Sequence, residues 1–121
     1  MTTITDAPQE YRKTTLHNGL RVVACEMPHT RSVSISIFIG VGSRYEEGEE
    51  AGLSHFLEHL LFKGTKNRPD PVQISGAIEG TGGTLNAGTE QELTVYWCRV
   101  AEPHYRDGID LLFDMLRNSL F

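Results

Sequence analysis

Cysteine is scarce in this sequence: only Cys25 and Cys98 occur among its 121 residues. They lie far apart in apolar stretches, so they make neither a CxxC motif nor a disulfide framework. Such cysteine usage is typical of a reducing compartment, and the cytoplasm is the expected location. We expect each cysteine to be a buried free thiol.

A surplus of positive charge and a long apolar run are also missing. The net charge is −5, with acidic residues concentrated at 46–50 (EEGEE), which argues against nucleic acid as a partner. No run of about eighteen apolar residues is present, so we expect no membrane span. The polar N-terminus lacks the layout of a secretory signal. With 39% hydrophobic residues, the chain has enough apolar material for one domain.

The first part of the chain has strand patterns. Residues 11–27 predict two short strands joined by a two-residue turn at Asn18-Gly19. The stretch 31–40 (RSVSISIFIG) alternates cleanly, which predicts a half-buried strand of an antiparallel sheet. Its apolar face consists of Val33, Ile35, Ile37 and Ile39. We expect residues 1–10 to be a flexible tail.

Helical patterns alternate with strands in the rest of the chain. We predict helices over about 53–63, ending at Gly64, over 71–79, and from Pro103 onward. Strands are predicted at about 83–88 and 92–100. The fold class is therefore α+β, a mostly antiparallel sheet with helices packed on one face.

The last helical pattern is amphipathic and stops on the apolar Phe121. Domains rarely end on an unpacked apolar face, so we expect residues 11–121 to be the N-terminal part of a longer domain. The alternative is a helix that folds back onto its own sheet.

The stretch HFLEH (55–59) lies within the first predicted helix. His55 and His59 are i and i+4, so their rings share one helix face with Glu58. Two imidazoles at this spacing can bind one zinc ion, which activates a water molecule while the carboxylate takes its proton. We expect the apolar neighbours to anchor the helix: Phe56, Leu57, Leu60, Leu61 and Phe62.

Other interpretations of HFLEH stay open at this point. The five residues also fit a surface helix turn with ordinary histidines. A small structural zinc module could combine the two histidines with Cys25 or Cys98, although nothing in the sequence brings a cysteine near them.

Three stretches occur in a particular order: LHNGLRVV (16–23), VGSRYEEGEEAGLSHFLEHLLFKGT (41–65) and GGTLNAGTEQELTVY (82–96). Together they resemble the N-terminal domain of the pitrilysin-type (M16, inverzincin) metallopeptidases. This family includes insulin-degrading enzyme and the mitochondrial processing peptidases. The sequence is similar to the beta-type subunits of the processing peptidases and to their bacterial relatives. The resemblance extends from about residue 11 to residue 121.

The resemblance implies a role for each matching residue. His55 and His59 match the family's zinc ligands, and Glu58 matches its catalytic base. Asn86 and Ala87 match a strand that pairs with the extended backbone of a peptide substrate. From the residues alone, Asn86 could equally be a turn residue.

The pattern Glu92, Thr94 and Tyr96 also matches the family. For Glu92 the resemblance implies either a structural role or a contact to a zinc-binding histidine. A glutamate at position 92 could orient a histidine ring.

One part of the family's site has no match. The third zinc ligand in the family is a glutamate, and the resemblance places it beyond Phe121. The family also uses a second homologous domain or subunit to complete the cavity around its substrate.

The sequence therefore predicts a zinc metalloendopeptidase acting on peptides or unfolded proteins, with the 121 residues alone inactive. The alternative is a non-catalytic peptide-binding or assembly subunit on the same fold.

Overall fold

The computed structural model describes residues 10–121. They fall into two compact units, one ending at Arg31 and the other covering residues 32–121. The predicted tail, residues 1–10, lies outside the described residues except for Glu10. Within the described part of the chain, no helix is long and apolar enough to cross a membrane.

The described part of the first unit is a β-hairpin. Strand β1 covers Tyr11–Thr15 and pairs antiparallel with β2, Arg21–Cys25. Both predicted strands are therefore present. Cys25 is a free thiol but only half-buried, so the prediction that it is buried was wrong. It ends a strand whose other residues are all exposed, and a two-stranded hairpin offers too little surface to bury a side chain.

The turn of this hairpin is longer than predicted. The backbone N–H of Leu16 donates to the carbonyl of Leu20 at 2.8 Å, which leaves three loop residues, 17–19, instead of two. Gly19 has a φ of +89°, a conformation that glycine adopts without strain. The side-chain oxygen of Asn18 accepts a hydrogen bond from the N–H of Leu20. This is a three-residue loop with glycine in the left-handed position.

The second unit contains an antiparallel sheet of three strands in the order β3-β5-β4. Their bounds are Ser32–Ile39 for β3, Thr84–Thr89 for β4 and Thr94–Ala101 for β5. The burial of β3 alternates residue by residue as its sequence predicts. Strand β4 lies at one edge of the sheet, and no described strand pairs with the other side of its backbone.

Three helices contribute side chains to one face of this sheet. Helix α1 covers Leu53–Leu61, α2 covers Pro71–Glu79 and α3 covers Tyr105–Arg117. All three pack with alternate residues of the strands, which confirms the predicted α+β class. The buried core consists of Leu61, Ile74, Ile78, Tyr96, Cys98, Val100, Leu111, Leu112 and Met115. Cys98 is thus the buried thiol that was predicted, and burial raises its pKa.

The ends of two helices differ from the prediction. Helix α1 stops at Leu61, two residues early, and α3 stops at Arg117 although the apolar pattern continues to Phe121. After α3 the backbone turns to pair with the segment that follows α1. The N–H of Leu120 donates to the carbonyl of Gly64 at 3.1 Å. These long-range hydrogen bonds replace the last helical turn.

A buried carboxylate reinforces this junction. Asp114, 5% exposed, accepts hydrogen bonds from Thr65 (2.7 Å), Asn67 (2.8 Å), Arg68 (2.6 Å) and Asn118 (2.9 Å). Burial alone would raise the pKa of Asp114, but these hydrogen bonds outweigh it and lower the pKa to about 2. Asp114 therefore holds the segment after α1 against α3.

Candidate metal and catalytic site

The helix that carries HFLEH begins at a glutamate cap. The carboxylate of Glu46 accepts hydrogen bonds from the backbone N–H groups of Gly52 and Ser54, both at 2.7 Å. These groups lie at the positive end of α1, where a negative charge is stabilised. The hydrogen bonds from Ser54 and Gly52 lower the pKa of Glu46. Glu46 therefore stays ionised and fixes the start of the helix.

The loop before α1 is attached to the hairpin between β4 and β5. The N–H groups of Ser43 and Arg44 donate to the carbonyls of Glu90 (3.3 Å) and Gln91 (2.8 Å). A Cβ atom on Gly42 would lie 2.3 Å from the Glu90 carbonyl oxygen, so only glycine permits this approach. The loop thus joins the end of the edge strand to the start of α1.

His55 and His59 point to a common position on the exposed face of α1. Their Nε2 atoms lie 2.9 Å apart and their ring centroids 4.7 Å apart. The tautomers of the two rings decide which nitrogen carries a proton, and binding one metal ion requires both Nε2 atoms to present a lone pair. Two nitrogens about 2.0–2.1 Å from one tetrahedral zinc would lie roughly 3.3 Å apart. The pair fits a zinc ion after opening by a few tenths of an ångström, within reach of small side-chain rotations.

Glu58 lies beside the histidines and is partly buried between α1 and the sheet. Its Oε2 atom accepts a hydrogen bond of 2.5 Å from the hydroxyl of Thr89, the last residue of β4. Burial raises the pKa of the neighbouring Tyr96 to about 12, and the negative charge of Glu58 adds to this effect. Tyr96 therefore stays neutral. The second carboxylate oxygen of Glu58 accepts no hydrogen bond from the described residues.

The anchoring of α1 differs in one residue from the prediction. Leu61 is buried, Phe62 packs against the core, and Leu57 and Leu60 are half-buried. Phe56, however, is 59% exposed, so it is not an anchor. A helix on a sheet buries one stripe, and Phe56 lies off the stripe that contains residues 57, 60 and 61.

The end of β4 lies next to Glu58, since the Thr89 hydroxyl is hydrogen-bonded to that carboxylate. The N–H of Glu90 donates to the carbonyl of Leu93 at 2.8 Å, so these residues form a hydrogen-bonded pair. In an antiparallel ladder such pairs alternate, so the backbone groups of Thr89 and Ala87 point to the free edge. At this edge the Ala87 N–H donates a hydrogen bond of 2.8 Å to the side-chain oxygen of Asn86.

The two residues predicted to bind substrate lie on opposite faces of β4. Ala87 packs against the core and shares its face with Thr89, the side on which α1 lies. Asn86 is exposed and points to the other face, with its amide folded over the strand edge. The structure therefore places Ala87 on the same face of β4 as Thr89, the partner of Glu58, and Asn86 on the opposite face.

Among the described residues, Glu92 makes no hydrogen bond to either histidine. It forms an ion pair with Arg44, whose guanidinium also donates to the side chain of Gln91 at 3.1 Å. Thr94 is buried and donates to the carbonyl of Val41 at 3.1 Å. Of the predicted roles for Glu92, the geometry favours the structural one, in which it reinforces the loop before α1.

A third metal ligand is not assembled here. Across residues 10–121, no group of three His, Cys, Asp or Glu side chains is placed to hold a metal. The Nε2 atoms of His55 and His59 therefore form a pair of potential metal ligands without a third ligand from the described residues. Cys98, in the same unit as the histidines, does not join them in such a group, as a structural zinc module built on it would require.

Two residues of the site were missed from the sequence. Thr89 could have been found, because strand alternation from Ala87 places position 89 on the same face. Glu46 gives no local signal, since it lies several residues before the helix start that it caps.

The chain is similar to a known peptidase family and to proteins named as peptidases. The pattern of the family described as Insulinase (Peptidase family M16) matches residues 21–121. The chain is 42% identical over 112 residues, 93% of its length, to the mitochondrial-processing peptidase subunit beta of Dictyostelium discoideum. It is 44% identical over 106 residues, 88% of its length, to an uncharacterized zinc protease of Rickettsia felis. It covers 24% and 26% of these two relatives.

A solved structure has the same fold. The crystal structure of a protease from Helicobacter pylori superposes with a TM-score of 0.87 at 29% identity, over 94% of this chain and 27% of that one. The chain thus spans about a quarter of the length of the proteins that it matches.

Proposed function

The chain belongs to the insulinase family of peptidases, peptidase family M16, and from this premise we propose that the protein carrying it is a zinc-dependent metalloendopeptidase. Its substrates are peptides or unfolded proteins. The observation that carries the proposal is the convergence of the His55 and His59 Nε2 atoms, 2.9 Å apart, on the helix face that also presents Glu58.

In this proposal His55 and His59 hold the zinc ion. Bound zinc supplies Lewis acidity, which acidifies water and polarises a carbonyl group. Glu58 takes a proton from the attacking water on its free oxygen and delivers it to the leaving amine. The partly buried position of Glu58, beside two potential ligands, supports its role as the base.

The free edge of β4 binds the substrate as an added strand. Backbone groups at Ala87 and Thr89 face this edge, so an extended peptide can pair with them. In the structure, the Ala87 N–H already donates a hydrogen bond to the side-chain oxygen of Asn86. Substrate pairing therefore requires Asn86 to release that hydrogen bond and rotate away, which we propose as its part in binding.

The remaining parts of the active site are proposed to lie outside these 121 residues. They are a glutamate as the third zinc ligand and a second homologous domain or subunit that completes the cavity. On this proposal the 121 residues alone are inactive.

Cys25 and Cys98 are both free, which supports the cytoplasm as the compartment.

A histidine exchange in the full-length natural protein tests this function. His55→Ala should remove stoichiometric zinc and abolish cleavage of an unfolded protein substrate. His17→Ala, in the exposed hairpin loop, is the matched control and should retain both. Zinc is measured by elemental analysis and cleavage by mass spectrometry of the products. Unchanged cleavage by His55→Ala would contradict the proposal.

A further inference from the structure

Thr89 is the residue at which the free strand edge and the proposed base meet. Its hydroxyl donates to the Glu58 Oε2 atom at 2.5 Å, across 31 positions of sequence. Its backbone faces the free edge of β4. The next two residues, Glu90 and Gln91, are already paired with the loop before α1. Thr89 is therefore the last position at which an added strand could pair, and it also contacts Glu58.

The Thr89 hydroxyl is the one side-chain donor to Glu58 among the described residues. A glutamate side chain has three rotatable bonds, so a partly exposed one samples several rotamers unless a partner holds it. A hydrogen bond to Oε2 holds one oxygen and leaves the lone pairs of the other oxygen free for a proton.

We propose that Thr89 is a positioning residue of the peptidase. Its hydroxyl holds the Glu58 side chain in one rotamer and so aligns the base with the strand to which the substrate adds. The inference rests on the proposed function and deepens it. It assigns a purpose to a side chain that is hydrogen-bonded to the base and not to either histidine.

Alignment and shape can be separated at this position. Valine has nearly the shape of threonine but lacks the hydroxyl, whereas serine keeps the hydroxyl and loses a methyl group. If alignment through the hydrogen bond is what matters, Thr89→Ser should resemble the natural protein and Thr89→Val should not. If packing matters, the order is reversed. Thr84 lies on the same strand and is exposed, so Thr84→Val is a matched control.

The experiment uses the full-length natural protein and these three variants. Thr89→Val is expected to lower kcat by about 10–100-fold, the range typical of residues that orient a site's reacting groups. KM and zinc content should stay unchanged. Thr89→Ser should recover most of kcat, and Thr84→Val should lose nothing. Crystal structures should show Glu58 in its original rotamer in Thr89→Ser and displaced in Thr89→Val.

Three results would overturn the inference. They are a natural kcat in Thr89→Val, a loss in Thr89→Ser as large as in Thr89→Val, and a change in KM alone. Glu58→Gln is assayed in parallel to separate this failure from failure of the proposed function. If Glu58→Gln loses turnover while Thr89→Val keeps it, only the role of Thr89 is wrong. If both keep it, the proposed function is wrong as well.

Discussion

Asp114 on α3 and Glu58 on α1 are helical carboxylates of the same unit in opposite surroundings. Asp114 is 5% exposed and accepts four side-chain hydrogen bonds. Glu58 is more exposed, accepts one hydrogen bond from the described residues, that of Thr89, and lies beside two exposed histidines. A carboxylate whose lone pairs are all engaged stabilises the fold but is not free to move a proton. A partly exposed carboxylate with a free oxygen can act as a base, but it contributes little to stability.

The first prediction separates these two roles by stability. Asp114→Asn should lower the free energy of unfolding by about 3 kcal/mol, because it removes the buried carboxylate that accepts from Thr65 and leaves Arg68 with only the more exposed Asp110 as its counter-charge. Glu58→Gln, the matched exchange on α1, should change it by less than about 0.5 kcal/mol. Urea unfolding followed by circular dichroism measures both. Equal losses in the two variants would break the comparison.

The second prediction concerns acid. The pKa of Asp114 is lowered from 3.8 to about 2 in the folded protein. A carboxyl whose folded pKa is depressed contributes stability above its unfolded pKa and loses it as the pH falls through the folded value. About 2 kcal/mol should therefore disappear between pH 4 and pH 2.

Urea midpoints measured across that range test this, with Asp114→Asn as the reference. The variant lacks the titrating group, so its stability should fall less steeply over the same interval. Parallel curves for the two proteins would show that Asp114 is not the group responsible.

The third prediction is the smallest. Glu92 forms an exposed ion pair with Arg44 at the hairpin that supports the loop before α1. Exposed pairs contribute about 0–1 kcal/mol, so Glu92→Gln should cost less than 1 kcal/mol and leave zinc content unchanged. Unfolding curves and elemental analysis check this. A loss of zinc would contradict this expectation, because it would mean that Glu92 orients a zinc-binding histidine ring.

The parts of the fold that follow from local sequence were predictable. Helix α2 matches its predicted bounds, 71–79, because Asp70 and Pro71 mark its start through a capping box and a first-turn proline. The shared face of His55 and His59 also follows from helix geometry alone.

The parts that depend on distant contacts could not be predicted in this way. Asp114 binds Thr65 across 49 positions, and nothing near either residue in sequence announces the partner. The early end of α3 has the same cause, since the residues after Arg117 pair with the segment after α1. Glu58 was identified from its neighbours in the helix, but its partner Thr89 comes from the sheet.

We propose that Glu58 is the base of a zinc peptidase and that the histidines beside it hold the metal. The most direct test compares zinc content and kcat of the natural full-length protein with those of Glu58→Gln. The variant should keep zinc and lose activity by about 10²–10⁴-fold, since the amide binds like the acid but cannot accept the proton. A Glu58→Gln protein that cleaves its substrate at the natural rate would contradict the account.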